Sequence, residues 1–428
     1  MKREDNITKE RVGEILPGEI EIMAPAGNFE SLMAAIQGGA NSIYFGIGNL
    51  NMRSHSANNF PVNSLGEIVR ICNEAQVKSY LTLNIVLYDE DLVSMRETID
   101  EAKRAGVTAI IASDMAAILY AREVGMEVHI STQLNVSNIG SLKYHAQFAD
   151  VIVLARELTL FQIRDIYDAI VREGIKGPSG ELVRLELFCH GALCMAVSGK
   201  CYLSLHEYNA SANRGSCYQI CRRGYEVTDL ETGASLEIDN KYIMSPKDLS
   251  TIAFVDKIID AGVRVFKIEG RARAPEYVKS VTQAYRKAAD AVCEGAYTKE
   301  LVKELQEKVA SVFNRGFWDG YYQGARLGEW SDMYGNKATR KKRYVGKVTN
   351  FFTNLSVAEI LIESGELSVG DETLIIGPTT GVFEYKIEEI RVDLKSVERA
   401  VKGEYCSLPI PEEIRLRRSD KIYLWIDG

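Results

Sequence analysis

The 428-residue sequence has no apolar run long enough to cross a bilayer and no apolar N-terminal leader. Its most apolar stretch, Val107 to Ala121, is interrupted by Ser113 and Asp114, and residues 1–18 are polar and charged. These absences argue against a transmembrane helix and a signal peptide, so we expect a cytoplasmic protein with no membrane partner. Cysteines are normally reduced in that compartment, which disfavours disulfides.

The chain also lacks an excess of positive charge, since 51 Lys and Arg stand against 59 Asp and Glu. A net charge of −8 argues against an overall electrostatic grip on nucleic acid, although it leaves room for local basic patches. The sequence contains no glycine-rich dinucleotide fingerprint, no G-x-S-x-G elbow and no H-E-x-x-H helix. It therefore lacks the usual signatures of Rossmann enzymes, α/β-hydrolases and zinc proteases.

What the sequence does contain is a regular alternation of short apolar runs and longer amphipathic stretches. The runs occupy residues 19–27, 41–46, 78–84, 107–114, 126–135, 150–156, 183–190 and 263–271. Repeated strand–helix units predict a parallel sheet, and eight units in this length predict an α/β fold of the (β/α)8 TIM-like barrel type. A doubly wound open sheet is the competing fold, and the missing dinucleotide fingerprint disfavours it.

Polar side chains share one face of several predicted strands. Side chains two residues apart point to the same side, so Lys267, Glu269 and Arg271 lie together, opposite Phe266 and Ile268. We expect such polar faces to line an active-site pocket at the C-terminal ends of the strands. An internal salt-bridge network that only fills the lumen is the alternative. The same alternation adds three candidate pocket residues: Asn84, Gln133 and His190.

The pattern changes after Arg271. Two helical stretches come first, followed by a basic segment that contains Lys337 and residues 340–343. From Tyr344 onward, short strands with glycine turns predict a small all-β barrel. We therefore expect the following parts: a polar leader (1–18), the TIM-like barrel (19–330), a basic linker (331–343) and a C-terminal β-barrel domain (344–428).

Cysteine is scarce outside one segment. Five of the eight cysteines lie between residues 189 and 221, with the spacing Cys189-x4-Cys194-x6-Cys201-x15-Cys217-x3-Cys221. No pair forms the C-x-x-C knuckle that usually marks a structural zinc site. The irregular spacing is compatible with a 4Fe–4S cluster held by loops, and a helical Cys217-x3-Cys221 pair would place two thiolates on one face. A thiol nucleophile and buried structural cysteines are the alternatives.

A catalytic Cys189–His190 pair is disfavoured, because adjacent strand residues point to opposite faces. The surrounding strings nevertheless identify a family. They are HGALCMAVSGKCYLS and NRGSCYQICRRGY, together with residues 24–46, 131–138, 244–249, 266–278 and 313–322. From about residue 19 to its end, the chain resembles the collagenase-like peptidase family of unassigned catalytic type. Its size and single C-terminal β-domain most resemble the tRNA-hydroxylating members.

The resemblance implies a reaction and a cofactor. Members of this kind convert the wobble uridine of tRNA to 5-hydroxyuridine, use prephenate as the hydroxyl donor, and bind an iron–sulfur cluster through four cysteines. Carried over by motif, the ligands of a 4Fe–4S cluster are Cys194, Cys201, Cys217 and Cys221, and Cys189 is left to packing. Ubiquinone-type members lack the β-domain and place the fourth cysteine differently, and the larger rRNA-hydroxylating members carry additional C-terminal sequence. The rival interpretations are a true peptidase and a non-enzymatic module that binds or senses through the cluster.

Local basic residues predict contacts with tRNA. Together they form a candidate phosphate track: Arg214, Arg222, Arg223, Arg273, Lys341 and Arg343. A solvated charged surface is the alternative for the linker residues. The cationic pocket residues are expected to hold the carboxylates of prephenate, because guanidinium matches carboxylate geometry. The C-terminal domain also resembles the second domain of translation elongation factors, an analogy consistent with docking on tRNA.

Overall fold

The computed structural model of the chain describes residues 16, 19–54, 59–226, 228, 230–233, 244–324, 328–332 and 335–428. The predicted barrel strands all form and are parallel to their neighbours, with β1 paired to the last of them to close the barrel. The TIM-like fold is therefore confirmed, and the open-sheet alternative is wrong. The barrel strands are β1 (Glu21–Ala26), β2 (Ser42–Phe45), β3 (Lys78–Leu83), β4 (Ala109–Ala112), β5 (Glu127–Ile130), β6 (Val151–Val153), β7 (Arg184–Gly191) and β9 (Val263–Ile268).

Helices cover the outside of the barrel. Polar side chains cap the N-termini of several helices. Asn28 accepts a hydrogen bond from the backbone N–H of Ser31, and Thr159 and Gln162 form a capping box. No helix in the described ranges is both long enough and apolar enough to cross a membrane. The helices are α1 (Phe29–Gln37), α2 (Leu65–Glu74), α3 (Leu92–Ala105), α4 (Met115–Glu123), α5 (Ile139–His145), α6 (Leu160–Glu173), α7 (Leu203–Tyr208), α8 (Val255–Asp260), α9 (Pro275–Cys293) and α10 (Lys299–Ala310).

The barrel has two separate cores, because each strand alternates its side chains between the helices and the lumen. The large core between strands and helices contains residues such as Ile22, Leu81 and Phe266. A smaller cluster fills the lumen, with Met23, Tyr44, Tyr80, Ala109, Ile111, Val151 and Val265. The lumen is thus packed below the mouth, so a ligand of the barrel would bind at the mouth.

The cysteine-rich segment leaves the barrel at the C-terminal end of β7 and returns to it through α8 and β9. Strand β8 (Asp248–Ser250), on the return path, pairs antiparallel with the end of β7, and β10 (Phe317–Trp318) pairs with β8. Gly191 makes the exit turn with a φ of 102°, and a Cβ there would lie 2.4 Å from the carbonyl oxygen of Glu269. Only glycine fits this position, because both the backbone angle and the close approach exclude a side chain.

The C-terminal region is an antiparallel, strand-rich domain with its own core. Its main sheet runs β15-β14-β20-β11-β12-β19-β16-β17, and β13 pairs with β18 beside it. Within residues 335–428 this sheet has free ends at β15 and β17, so ladder hydrogen bonds do not close it into the predicted barrel. The strands are β11 (Arg340–Phe352), β12 (Val357–Ile362), β13 (Glu366–Ser368), β14 (Glu372–Gly377), β15 (Gly381–Lys386), β16 (Ile390–Val392), β17 (Lys395–Val397), β18 (Arg399–Val401), β19 (Tyr405–Pro409) and β20 (Lys421–Asp427).

The basic run assigned to a linker belongs largely to this sheet, because β11 begins at Arg340. Alternate residues of the run turn inward: Lys342 contacts Glu276 of α9 at 2.9 Å and lies 4.8 Å from the centre of the Tyr423 ring. The Gln37 side chain donates to the carbonyl oxygen of Thr380 at 2.8 Å. The C-terminal domain therefore rests against the outer helices α1 and α9.

Candidate active site at the barrel mouth

A cavity of about 190 Å³ lies where the strand ends meet the cysteine-rich segment. Strands β3, β5 and β9 or the residues just after them supply its floor, and the excursion after β7 supplies its roof. Nine of the ten residues predicted for the pocket and the cluster line it together: Asn84, Gln133, Lys267, Glu269, Arg271, Cys194, Cys201, Cys217 and Cys221. Residues up to 187 positions apart in the sequence thus meet at one site, and only the closed barrel brings them there.

The floor of the cavity is an ordered ion pair. Lys267 donates to Glu186 at 2.8 Å, and both side chains are buried. The Lys267 ammonium also lies 4.7 Å from the centre of the Tyr44 ring. Because Glu186 largely balances the charge of Lys267, this lysine has less charge to offer a ligand than an unpaired cation would.

Arg53 and Glu269 form a second pair at a distance of 3.0 Å. Although burial favours the protonated form of Glu269, the charges of Arg53, Arg156 and Arg271 hold the pKa of Glu269 below its usual value. Glu269 is therefore ionised at neutral pH and serves as a fixed negative charge. Neither Arg53 nor Arg156 was selected from the sequence. Arg156 ends the predicted sixth strand, so its position was a usable signal, whereas Arg53 lies in a loop without one.

Arg271 is buried, and its guanidinium donates to Asn51 at 2.9 Å and to Thr82 at 3.0 Å. Burial lowers the pKa of Arg271 to about 10, so the side chain stays positively charged at neutral pH. Arg156 lies 3.9 Å from the centre of the Phe188 ring and donates to the carbonyl oxygen of Ala192. Among the described residues, neither guanidinium has a carboxylate within 4.0 Å. The mouth therefore carries uncompensated positive charge.

The four predicted cluster cysteines face this charge as free thiols. Cys194 is exposed and the other three are half-buried. Burial raises the pKa of the Cys221 thiol to about 11, while Arg222 acts in the opposite direction. Cys217 is not helical, since a short 3-10 turn, Ile220–Arg222, begins after it. The expectation of a helical Cys217–Cys221 pair is therefore wrong.

Within the described part of the chain, no three His, Cys, Asp or Glu side chains converge closely enough to hold a metal ion. The four thiols instead stand around one cavity. A cubane of four irons takes one thiolate at each iron, so its ligands stand further apart than those of a single ion. Four thiols around one cavity match the number of ligands that a 4Fe–4S cluster takes.

His190 is not a pocket residue, which corrects its assignment. Its side chain is only 1% exposed and packs against Tyr277, Tyr285 and Phe317. The register of β7 on β9 shifts between Phe188 and His190, so a bulge moves His190 out of the alternation that predicted it. Burial lowers the pKa of His190 to about 3, with a smaller contribution from Arg273. This histidine is therefore neutral and structural.

Cys189 sits in that bulge, fully buried. Its thiol donates to the carbonyl oxygen of Lys267 at 3.4 Å, and its own carbonyl oxygen accepts from the Tyr285 hydroxyl at 2.8 Å. Burial raises the pKa of Cys189 well above its usual value. A buried, protonated thiol without a histidine partner is not a nucleophile, as the sequence had indicated.

The arginines beside the cysteines do not form one continuous phosphate track. Arg222 is buried, donating to the backbone oxygens of Leu193 and Pro246 at 2.6 Å and 2.5 Å, so it cannot contact RNA phosphates. Its role is to hold the cysteine-rich segment to the chain on either side. Arg214 is paired with Asp91 at 2.6 Å, which neutralises it.

Three other predicted RNA contacts have exposed charges. Arg223, Lys341 and Arg343 lie on the surface, Arg223 beside the mouth and the other two on β11. Arg273 lines the cavity, where it stacks 3.7 Å from the centre of the Phe313 ring and lies 3.9 Å from Asp248. RNA contacts near the cysteines would therefore rely on the exposed cations Arg223 and Lys200 and on uncharged side chains.

Fold and site together define the class. A (β/α)8 barrel with thiols, guanidiniums and one buried ion pair at the C-terminal ends of its strands has the layout of a barrel enzyme. The chain belongs to peptidase family U32, whose family model matches residues 27–332. This confirms the family resemblance on which the sequence interpretation rests.

Similar proteins include a protease by name and RNA hydroxylation proteins. The chain is 60% identical to a collagenase of Porphyromonas gingivalis, over 95% of its own length and 97% of that protein. It is 32% identical to tRNA hydroxylation protein P1 of Bacillus subtilis, over 86% of each chain. It is 31% identical to the 23S rRNA 5-hydroxycytidine C2501 synthase of Escherichia coli, over 88% of this chain but only 58% of that protein.

Proposed function

We propose that this protein is an RNA-modifying enzyme that converts the wobble uridine of tRNA to 5-hydroxyuridine, with prephenate as hydroxyl donor and a 4Fe–4S cluster as cofactor. In net terms, the C5–H bond of the base and the C–OH bond of the donor break and a C5–OH bond forms. The donor takes the hydrogen and is reduced by the two electrons that the base loses. The observation that carries the proposal is the convergence of four free thiols and two uncompensated guanidiniums on one cavity, in a chain similar to tRNA and rRNA hydroxylation proteins.

The cluster would be held by Cys194, Cys201, Cys217 and Cys221. When bound, it would supply redox or Lewis-acid chemistry at the mouth. Because burial raises the pKa of the Cys201 and Cys221 thiols, binding would displace their protons, and the guanidinium of Arg222 favours the resulting thiolate at Cys221. The same guanidinium ties the segment to Leu193 and Pro246, so the ligands are presented on a braced loop.

The donor would bind through its two carboxylates to Arg271 and Arg156. Lys267 and Arg53 are already paired with Glu186 and Glu269, so the two free guanidiniums are the groups with charge to offer. A planar guanidinium can hold a carboxylate by two parallel hydrogen bonds, which orients the acid as well as binding it. Asn84 and Gln133, hydrogen-bonded to each other at 3.3 Å, face the same space and can accept or donate to the hydroxyl group.

Among its relatives, the chain aligns more completely with the tRNA protein, which supports tRNA as the proposed substrate. Its alignment covers most of the tRNA hydroxylation protein but little more than half of the rRNA enzyme. Anaerobic purification followed by iron and sulfide analysis tests the cofactor. Mass spectrometry of tRNA nucleosides from a deletion strain, complemented with the wild type or with Cys217→Ser, tests the reaction. Unchanged 5-hydroxyuridine-derived nucleosides in the deletion strain would refute the proposal.

A peptidase is the second candidate, because the 60% identical relative carries the name collagenase. The described residues of the mouth offer no cysteine–histidine pair for it, since His190 packs against aromatic rings and Cys189 is buried behind it. Incubating the iron-free and the iron-loaded protein with gelatin and collagen peptides decides between the two. Cleavage that survives removal of iron would favour the peptidase.

A further inference from the structure

Three exposed tyrosines belong to the segment that carries the cluster cysteines. Tyr202 is 70% exposed, Tyr218 50% and Tyr208 46%. Tyr202 directly follows Cys201, and Tyr218 directly follows Cys217. Because Cys201 and Cys217 line the cavity, the segment that carries these tyrosines borders it, and we call the three residues the tyrosine patch.

The tyrosine patch is ordered by contacts within the protein. The Tyr208 and Tyr218 rings meet edge to face with their centres 5.1 Å apart, and the backbone N–H of Tyr218 donates to the Ser204 hydroxyl at 3.1 Å. The Arg223 guanidinium lies 5.4 Å from the centre of the Tyr208 ring and donates to the Tyr208 hydroxyl. Among the described residues, the Tyr202 ring has no aromatic or cationic partner, so its faces are open.

The chemistry of the patch fits unpaired nucleotides. Aromatic side chains stack on exposed bases, and this stacking requires bases that are not already stacked in a duplex. Arg223 has no carboxylate within 4.0 Å among the described residues and can meet a phosphate beside the stacked base. Tyrosine and arginine are also enriched in protein–protein interfaces, so the choice of RNA rests on two other observations. Tyr202 and Tyr218 adjoin cysteines that line the cavity, and the chain is similar to RNA hydroxylation proteins.

We propose that the tyrosine patch is a stacking platform for unpaired nucleotides, which holds a single-stranded RNA loop so that one base can enter the cavity behind Cys201 and Cys217. This rests on the proposed function for the choice of RNA as the substrate. It adds that the protein selects single-stranded loops over paired stems, and that tyrosines next to the cluster ligands, more than arginines, supply the affinity. The net negative charge of the chain agrees with this, because stacking does not require an overall basic surface.

The test uses iron-loaded protein and two fluorescein-labelled RNAs: a hairpin with an unpaired, uridine-containing loop, and a duplex of the same stem without a loop. The double variant Tyr202→Ala/Tyr218→Ala is expected to bind the hairpin about tenfold or more weakly than the wild type, because each stacked base contributes on the order of a tenfold factor in affinity. Tyr202→Phe/Tyr218→Phe keeps the rings and should bind within about twofold of the wild type. Tyr144→Ala removes an equally exposed tyrosine from α5, away from the mouth, and should bind normally.

Equal binding of the hairpin by the wild type and the double alanine variant, with iron content and melting temperature preserved, would overturn the inference. So would equal wild-type affinity for duplex and hairpin. A wild-type dimer that the alanine variant converts to monomer would assign the patch to a second copy of the chain instead. Failure of the proposed function gives a different pattern. If the protein does not hydroxylate RNA but its binding of the hairpin still depends on the tyrosines, the stacking platform is supported and the proposed reaction is refuted.

Discussion

Replacing Arg271 by methionine should weaken binding of prephenate while the protein still folds. The Arg271 guanidinium donates to Asn51 and Thr82 and has no carboxylate partner within 4.0 Å among the described residues. Both acceptors keep other contacts, since Asn51 also accepts from the backbone N–H of Arg53 and Thr82 donates to the carbonyl oxygen of Phe45. Methionine fills similar space, so the variant should fold, with a modest change in melting temperature.

The expected loss is one charge-assisted interaction with a carboxylate. Such a hydrogen bond contributes about 1.5–3 kcal/mol, which corresponds to a Kd for prephenate about 10-fold to 150-fold higher. Isothermal titration of prephenate into iron-loaded Arg271→Met measures this directly. Arg264→Met is the matched control, because Arg264 lies on β9, the strand that precedes Arg271, and donates to the carbonyl oxygens of Ile259 and Val263. A folded Arg271→Met variant with wild-type prephenate affinity would refute the assignment of Arg271 to the acid.

Three further predictions address the cofactor and the scaffold. Cys217→Ser should lose most of its iron in anaerobic iron analysis, whereas Cys189→Ser should retain it, because only Cys217 lines the cavity. Gly191→Ala should reduce the unfolding free energy by about 1–3 kcal/mol, measured as a lower melting temperature. The φ of 102° at this position is unfavourable for alanine, and the added Cβ would clash with the carbonyl oxygen of Glu269. Glu21→Gln should reduce the unfolding free energy at neutral pH by about 2–3 kcal/mol in chemical denaturation.

The pH dependence of the Glu21 effect follows from its surroundings. Burial alone would raise the pKa of Glu21, but Lys78, Arg184 and the Tyr80 hydroxyl outweigh it and lower the pKa to about 2. A carboxyl that titrates lower in the folded chain than in the unfolded chain stabilises fully above its unfolded pKa and loses this effect as pH falls toward 2. The wild type and Glu21→Gln should therefore differ most at pH 7 and converge in acid. A difference that stays constant between pH 7 and pH 3 would contradict this electrostatic explanation.

The candidate site was predictable wherever strand alternation held without interruption. Lys267, Glu269 and Arg271 follow a regular strand, so a period of two placed all three at the lumen side, where the structure has them. The prediction was wrong at His190, because a bulge at Cys189 changes the phase of β7 and sequence periodicity carries no sign of it. Arg222 was likewise misassigned, since nothing in a run of arginines tells which one turns inward to hold backbone carbonyls.

The sequence by itself determined the architecture, because the architecture depends on patterns that are local in the chain. Alternating strands, amphipathic helices between them and glycine turns after Tyr344 are each visible within a short window. It also marked the four cysteines through their density and the family resemblance of their motifs. Only the tertiary structure decided which charges remain free. Pairing of Lys267 with Glu186, of Arg53 with Glu269 and of Arg214 with Asp91 joins residues distant in the chain, and such pairs depend on three-dimensional closure of the barrel. Closure of the barrel leaves the guanidiniums of Arg156 and Arg271 without a paired carboxylate, and these groups are available to bind a ligand. The exposed tyrosines of the tyrosine patch are likewise available to bind RNA.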